Sequence, residues 1–111
     1  GYVVNGSAKA WVNFNGTGTI AVRESLNISS LTDRGTGQYT SSLSNNMLNA
    51  DFSVGASTSF ISGVTHMVHF VPDGADGNNV ASAIRGQTRR TDSNSNVDLS
   101  YIMLQAFGDL A

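Results

Sequence analysis

The sequence contains no cysteine, and few of its residues carry a charge. The missing cysteine excludes disulfide bonds, thiolate metal sites and a cysteine nucleophile. Charged residues make up 13% of the 111 residues, and Ser, Thr, Asn and Gly are abundant instead. An average soluble protein has about 25% charged residues. Lys9 and Glu24 are the one lysine and the one glutamate. Because lysine and glutamate favour helices whereas β-branched residues favour strands, this composition predicts β structure with many turns.

Signals for particular partners are also scarce. The formal net charge is -2, which provides no electrostatic basis for binding nucleic acid or an acidic membrane surface. The apolar runs are shorter than the roughly 18 residues of a transmembrane helix, so no membrane insertion is expected. No signal peptide is visible, and the start at Gly1 without Met leads us to expect a fragment of a longer chain. Without disulfides, a domain of this size is expected to depend on packing or on oligomerisation.

Alternation of apolar and polar residues predicts a series of short strands. Ala10, Val12 and Phe14 form the apolar half of such a pattern, and the following Asn15-Gly16 pair predicts a two-residue hairpin turn with positive φ. The predicted strands cover residues 8–14, 18–26, 38–43, 52–56, 60–71, 80–88 and 97–107. In the second of them, Ile20, Val22 and Leu26 are expected to share one face. The pattern predicts one antiparallel β-sandwich domain over residues 1–111.

The last predicted strand is apolar on both faces. Val97, Leu99, Tyr101, Met103 and Phe107 alternate with a second apolar set, which comprises Ile102, Leu104 and Ala106. A strand of this kind must be covered on both sides, whereas one sandwich core covers only one of them. Either a partner chain or the loops of the same chain could supply the second cover.

The first half of the chain carries a run of Asn-, Gly- and Thr-rich motifs. AWVNFNGTGTIAVR at residues 10–23 continues into LNISSLTD at 26–33, GTG at 35–37 and YT at 39–40. These motifs resemble the repeated signature of a distal domain of bacteriophage tail-fibre proteins, which the second half resembles only in outline. The resemblance implies a homotrimer that forms the C-terminal part of a longer fibre protein. It also implies a non-enzymatic virion protein that binds a bacterial surface receptor, either a glycan or an outer-membrane protein, beside other tail proteins.

Two polar loops, at residues 72–79 and 88–96, are least like this signature, and we expect receptor specificity there. Arginine donates paired hydrogen bonds to carboxylates and phosphates, which bacterial surface glycans carry. Arg85, Arg89 and Arg90 cluster with Asp92 near the second of these loops. The alternative is a solvated loop held by local ion pairs. The predicted receptor-binding residues are Asp73, Asp76, Asn78, Asn79, Arg89, Arg90 and Asp92.

The sequence predicts no cofactor, metal site or catalytic residue. His66 and His69 are three residues apart and point to opposite faces of a regular strand, although one histidine could meet its own copies on a three-fold axis. The acidic loop at 73–78 lacks the order of an EF-hand and favours a solvated turn. The aspartates lie mostly in turns, and no serine-nucleophile motif occurs. Two alternatives remain: a purely structural virion module of a baseplate, head decoration or fibre shaft, and a carbohydrate-active enzyme domain.

Overall fold

A computed structural model describes residues 6–59, 68–71, 79–90 and 95–111, and of residues 68–71 it describes the backbone. These residues form eight strands: β1 (Ala10–Asn15), β2 (Ala21–Leu26), β3 (Ile28–Gly35), β4 (Gln38–Leu43), β5 (Ser53–Thr58), β6 (Val68–Val71), β7 (Ala83–Arg90) and β8 (Ile102–Phe107). The strands pair antiparallel in two sheets. Sheet A has the order β2-β1-β8-β5, and sheet B has the order β3-β4-β7-β6. The predicted all-β fold with antiparallel sheets is confirmed.

The two sheets share one core. In β1, β4 and β8 every second residue is buried, as a sheet with one covered face requires. The rings of Phe14 on sheet A and Tyr39 on sheet B meet edge to face, with centroids 5.1 Å apart, a geometry worth about 0.5–1.5 kcal/mol beyond the area it buries. The buried cluster comprises Ala10, Val12, Phe14, Tyr39, Leu43, Met47, Ile84, Leu99, Ile102, Leu104 and Ala106.

The predicted two-residue turn after β1 is wrong. Residues 16–20 connect β1 to β2, and Asn15 pairs with Ala21. The side-chain Oδ1 of Asn15 accepts hydrogen bonds from the backbone N and the hydroxyl of Thr17, at 3.1 and 2.6 Å, which replaces the expected tight turn by an Asx turn. Positive φ is found at Gly18 (59°) rather than at Gly16.

The predicted apolar face of the second strand is also wrong. All six residues of β2 are exposed. A β-bulge between Asn13 and Phe14 changes the register, so Val22 lies opposite the inward Phe14 whereas Leu26 lies opposite the outward Trp11. A bulge inserts an extra residue and thereby reverses the alternation of faces. Val22 and Leu26 therefore lie on opposite faces of the sheet.

One strand was missed, and the bounds of others differ from the prediction. Strand β3 was missed because it is a polar edge strand with two register irregularities, so it lacks a period of two. Strand β8 begins at Ile102 rather than at residue 97, because Val97 and Leu99 bind the backbone of Thr88 and Gly16 instead of continuing the strand. Strand β7 extends to Arg90, beyond the predicted end at 88. Most of the predicted strand at 60–71 lies outside the described residues.

Candidate functional site

Strand β7 places a row of polar side chains on the outward face of sheet B. Ile84 on this strand is buried in the core, so the alternating residues Arg85, Gln87 and Arg89 face outward. In the neighbouring strand β4, Thr40 lies opposite Arg85 and Gln38 lies opposite Gln87. We call these five residues the β7 row. Gln87 is buried, with 5% of its surface exposed, whereas the other four are half-buried and together form a cationic, hydrogen-bonding surface.

Hydrogen bonds fix the backbone of β7 near both of its ends. The backbone N of Arg85 donates to Oδ1 of Asn79 at 2.8 Å. At the other end of β7, the backbone N of Arg90 donates to the carbonyl of Ser95 at 2.9 Å, and Arg89 lies opposite Asn96. Since β6 pairs along the other edge of β7, the row stands on a central strand rather than on a loop.

The structure changes the assignment of the predicted binding residues. Arg89 and Arg90 were expected in a loop, but both lie in β7, where adjacent residues point to opposite faces. Oδ1 of Asn79 is already bound to the backbone of β7. The remaining predicted residues, Asp73, Asp76, Asn78 and Asp92, lie outside the described residues.

The sequence prediction missed that Arg85, Gln87 and Arg89 lie on the same face of one strand. The alternation of faces along the run AIRGQTRR could have indicated this, and it also places Arg89 and Arg90 on opposite faces. Arg85, Arg89 and Arg90 each have an interaction within the chain. A ligand at the β7 row would therefore add to these interactions or exchange with them.

A buried tyrosine on β4, Tyr39, connects the turn after β1 to residues 95–99. The hydroxyl of Tyr39 lies 2.9 Å from the carbonyl of Gly16 and 2.9 Å from a carboxylate oxygen of Asp98. The same carboxylate accepts a hydrogen bond from the backbone N of Gly37 at 2.7 Å. Burial raises the pKa of Tyr39 well above its usual value, and the nearby Asp98 raises this pKa further. The neutral phenol thus fixes residues 95–99, which in turn pair with β7.

Gly37 lies at the contact between the β3–β4 hairpin and residues 95–99. Its φ is 68°, and a Cβ added there would lie 2.8 Å from the carbonyl oxygen of Thr88 and 2.9 Å from the backbone N of Val97. The carbonyl of Gly37 also accepts a hydrogen bond from Thr88 N at 2.8 Å. This position therefore requires glycine for both its backbone conformation and its close approach to the neighbouring chain.

The outward face of sheet A has a different chemistry. Trp11 and Met103 lie at its centre, on β1 and β8, and both are partly exposed. Leu26, Tyr101 and Phe107 on the same side are 48%, 48% and 39% exposed. The guanidinium of the bulge residue Arg23 lies 3.9 Å from the centroid of the Tyr101 ring, in cation–π contact. We call this surface the sheet A outer face.

A third feature is a groove of about 270 Å³ lined by Leu48, Asn49, Asp51, Phe52, Gly108 and Asp109. Its two carboxylates are exposed, and we assign no ligand to it. Among the described residues, no three His, Cys, Asp or Glu side chains lie close enough to hold a metal ion. Of the two histidines, His66 lies outside the described residues, and only the backbone of His69 is described. No helix in the described part of the chain could cross a membrane.

Comparison of the chain with known protein families, with curated proteins and with solved structures finds no match.

Proposed function

We propose that this chain is a non-enzymatic receptor-binding domain at the tip of a phage tail fibre, assembled as a homotrimer in the virion. The observation that carries the proposal is the β7 row on the outward face of sheet B. The motifs that resemble tail fibres lie in strands β1 to β4, which form one hairpin in each sheet. The β7 row belongs mainly to the second half of the chain, and β7 pairs with β4 of the second hairpin.

The chemistry of the β7 row fits an acidic glycan on a bacterial surface. Arg85 and Arg89 are four residues apart on an extended strand, which corresponds to about 13 Å. Guanidinium groups at this spacing donate charge-assisted hydrogen bonds to carboxylates or phosphates on successive sugar units. The half-buried Gln38 and Thr40 supply donors and acceptors for sugar hydroxyls. Three copies of a weak site on one trimer would raise the affinity through avidity.

The test measures binding of the fluorescently labelled domain to a panel of bacteria with acidic surface polysaccharides, by flow cytometry. The double variant Arg85→Ala with Arg89→Ala removes the cations of the β7 row. The control, Arg23→Ala with Arg90→Ala, removes the same number of charges from other faces. We expect the first variant to lose binding and the control to retain it, and binding of the parent should weaken with salt. Equal binding by the parent and both folded variants would contradict this site.

A second candidate is a purely structural virion module that contacts other tail proteins and no host. The exposed apolar side chains of the sheet A outer face favour this candidate, since such patches commonly mark protein–protein contacts. If the parent domain binds none of the bacterial surfaces, this candidate replaces receptor binding.

A further inference from the structure

The connection between β1 and β2 begins with an Asn-Gly pair, which is a chemically labile kind of peptide link. In such a pair the backbone N of the glycine can attack the side-chain Cγ of the asparagine, because glycine has no side chain that shields its amide. The sequence has two of these pairs, Asn5-Gly6 and Asn15-Gly16. Asn5 lies outside the described residues, whereas both residues of the second pair are described.

We propose that Asn15 is a site of spontaneous deamidation, which the folded chain keeps closed and local unfolding opens. In the open chain the backbone N of Gly16 loses its proton and forms a bond to Cγ of Asn15. The bond between Cγ and Nδ2 breaks, and Nδ2 takes up a proton and leaves as ammonia. A water molecule then opens the cyclic imide at either of its carbonyls, which gives aspartate or isoaspartate. Water is the one co-reactant.

In the folded chain the attacking nitrogen is restrained. Gly16 is buried, and its backbone N donates a hydrogen bond to the carbonyl of Leu99 at 2.8 Å. Loss of the shared proton would leave a charged nitrogen facing a carbonyl oxygen away from water, which is strongly unfavourable. The carbonyl of Gly16 lies 2.9 Å from the hydroxyl of Tyr39. Both backbone polar groups of Gly16 are therefore held in place.

The side chain of Asn15 is held in a way that favours attack once Gly16 is released. Its Oδ1 accepts hydrogen bonds from the backbone N and the hydroxyl of Thr17, at 3.1 and 2.6 Å, and its Nδ2 donates to the Thr17 carbonyl at 3.2 Å. Donors on Oδ1 stabilise the oxyanion that forms when a nucleophile adds to Cγ. The hydrogen bond between Gly16 and Leu99 is thus the restraint that limits the rate.

The isoaspartate product would not return to the native turn. It continues the chain through its side-chain carbonyl, which adds a carbon atom to the backbone before Gly16. The space around Gly16 is already filled, since a Cβ added there would lie 2.8 Å from Cζ of Tyr39 and 2.9 Å from Cδ1 of Ile102. A chain that opens at this turn and reacts therefore leaves the folded population irreversibly.

The test compares the folded protein with a synthetic peptide of residues 10–23 at mildly alkaline pH. Trypsin releases the same peptide from the protein, because Lys9 and Arg23 precede its two cleavage sites. Mass spectrometry then measures conversion of Asn15, with Asn13, which a phenylalanine follows, as the internal control that should stay unchanged. Conversion of Asn15 should be at least about tenfold slower in the folded protein than in the peptide, because the reaction waits for local opening.

The same comparison in concentrated urea removes the effect of the fold. The unfolded protein and the peptide should then convert Asn15 at the same rate. Equal rates for the folded protein and the peptide without urea would overturn the proposal. It would also be overturned if Asn15 were not converted in the peptide.

Hydrogen exchange at the backbone N of Gly16 provides a second test, because base removes the same proton in both reactions. Tyr39→Phe removes the hydroxyl beside the Gly16 carbonyl, and Tyr101→Phe removes an exposed hydroxyl as the matched control. Tyr39→Phe should raise the exchange rate of Gly16 and the deamidation rate of Asn15 by the same factor, about fivefold for the loss of one hydrogen bond. Tyr101→Phe should change neither rate. Faster exchange without faster deamidation would overturn the assigned role of the Leu99 hydrogen bond.

Discussion

Gly16 is expected to be the most informative single position for stability, for a reason that differs from the one its sequence suggests. The residue is buried after β1, and a Cβ added there would lie 2.8 Å from Cζ of Tyr39 and 2.9 Å from Cδ1 of Ile102. Overpacking of this kind costs about 1–3 kcal/mol. Movement of Tyr39 would also weaken its hydrogen bond to the Gly16 carbonyl, which is worth about 1 kcal/mol. We therefore expect Gly16→Ala to lose about 2–4 kcal/mol in total, which corresponds to roughly 10 °C in Tm.

Urea unfolding followed by circular dichroism measures this loss, and Gly18→Ala is the matched control. Gly18 has a φ of 59° but open space around it, so its substitution should cost only about 1 kcal/mol of left-handed strain. Tyr39→Phe should lower the free energy of unfolding less in the Gly16→Ala variant than in the parent, because the substitution removes the hydroxyl that contacts the new methyl group. If Gly18→Ala is the more damaging change, or if the two effects add independently, the packing argument is wrong.

Three further predictions concern the same backbone framework. The raised pKa of Tyr39 means that its contribution to stability is complete below about pH 10 and is lost as the pH rises further. The urea midpoint should therefore fall less steeply at alkaline pH in Tyr39→Phe than in the parent, and parallel curves would contradict this. Gly37→Ala should cost more than Gly18→Ala, because its Cβ would meet the backbone of Thr88 and not open solvent; thermal unfolding compares them. Asn27 has a φ of 60°, so Asn27→Gly should be about 1 kcal/mol more stable than Asn27→Ala by urea unfolding.

The parts of the fold that follow a period of two could be predicted from the sequence. Strands β1 and β4 alternate buried and half-buried residues without interruption, and both were found at nearly the right bounds. The bulge beside Phe14 could not be predicted, because it depends on pairing with β1 and leaves no mark in the run AVRESL. For the same reason β3 was missed, since an edge strand with few buried side chains needs no regular pattern.

Of the β7 row, Arg89 alone was among the predicted receptor-binding residues, and its role stays a prediction. Arginine near residues 85–90 indicated recognition of acidic groups. Which arginines share a face depends on whether β7 continues past residue 88. It does so because Thr88 and Arg90 bind the backbone of residues 95–97, a contact that Gly37 and Asp98 hold in place from distant parts of the chain. Such long-range contacts are not visible in a local pattern.

Thiol labelling of two introduced cysteines tests most directly the central proposal that the outward face of sheet B binds the receptor. The chain has no cysteine of its own. Thr32 on β3 and Ser57 on β5 are both exposed in the single chain, and both lie on outward faces of edge strands. Binding to bacteria should be lost when a bulky maleimide reagent is attached to Thr32→Cys, because Thr32 lies opposite Thr40 of the β7 row, and it should be retained when the reagent is attached to Ser57→Cys on sheet A. Equal binding by the two labelled proteins, or a loss confined to labelled Ser57→Cys, would contradict the account.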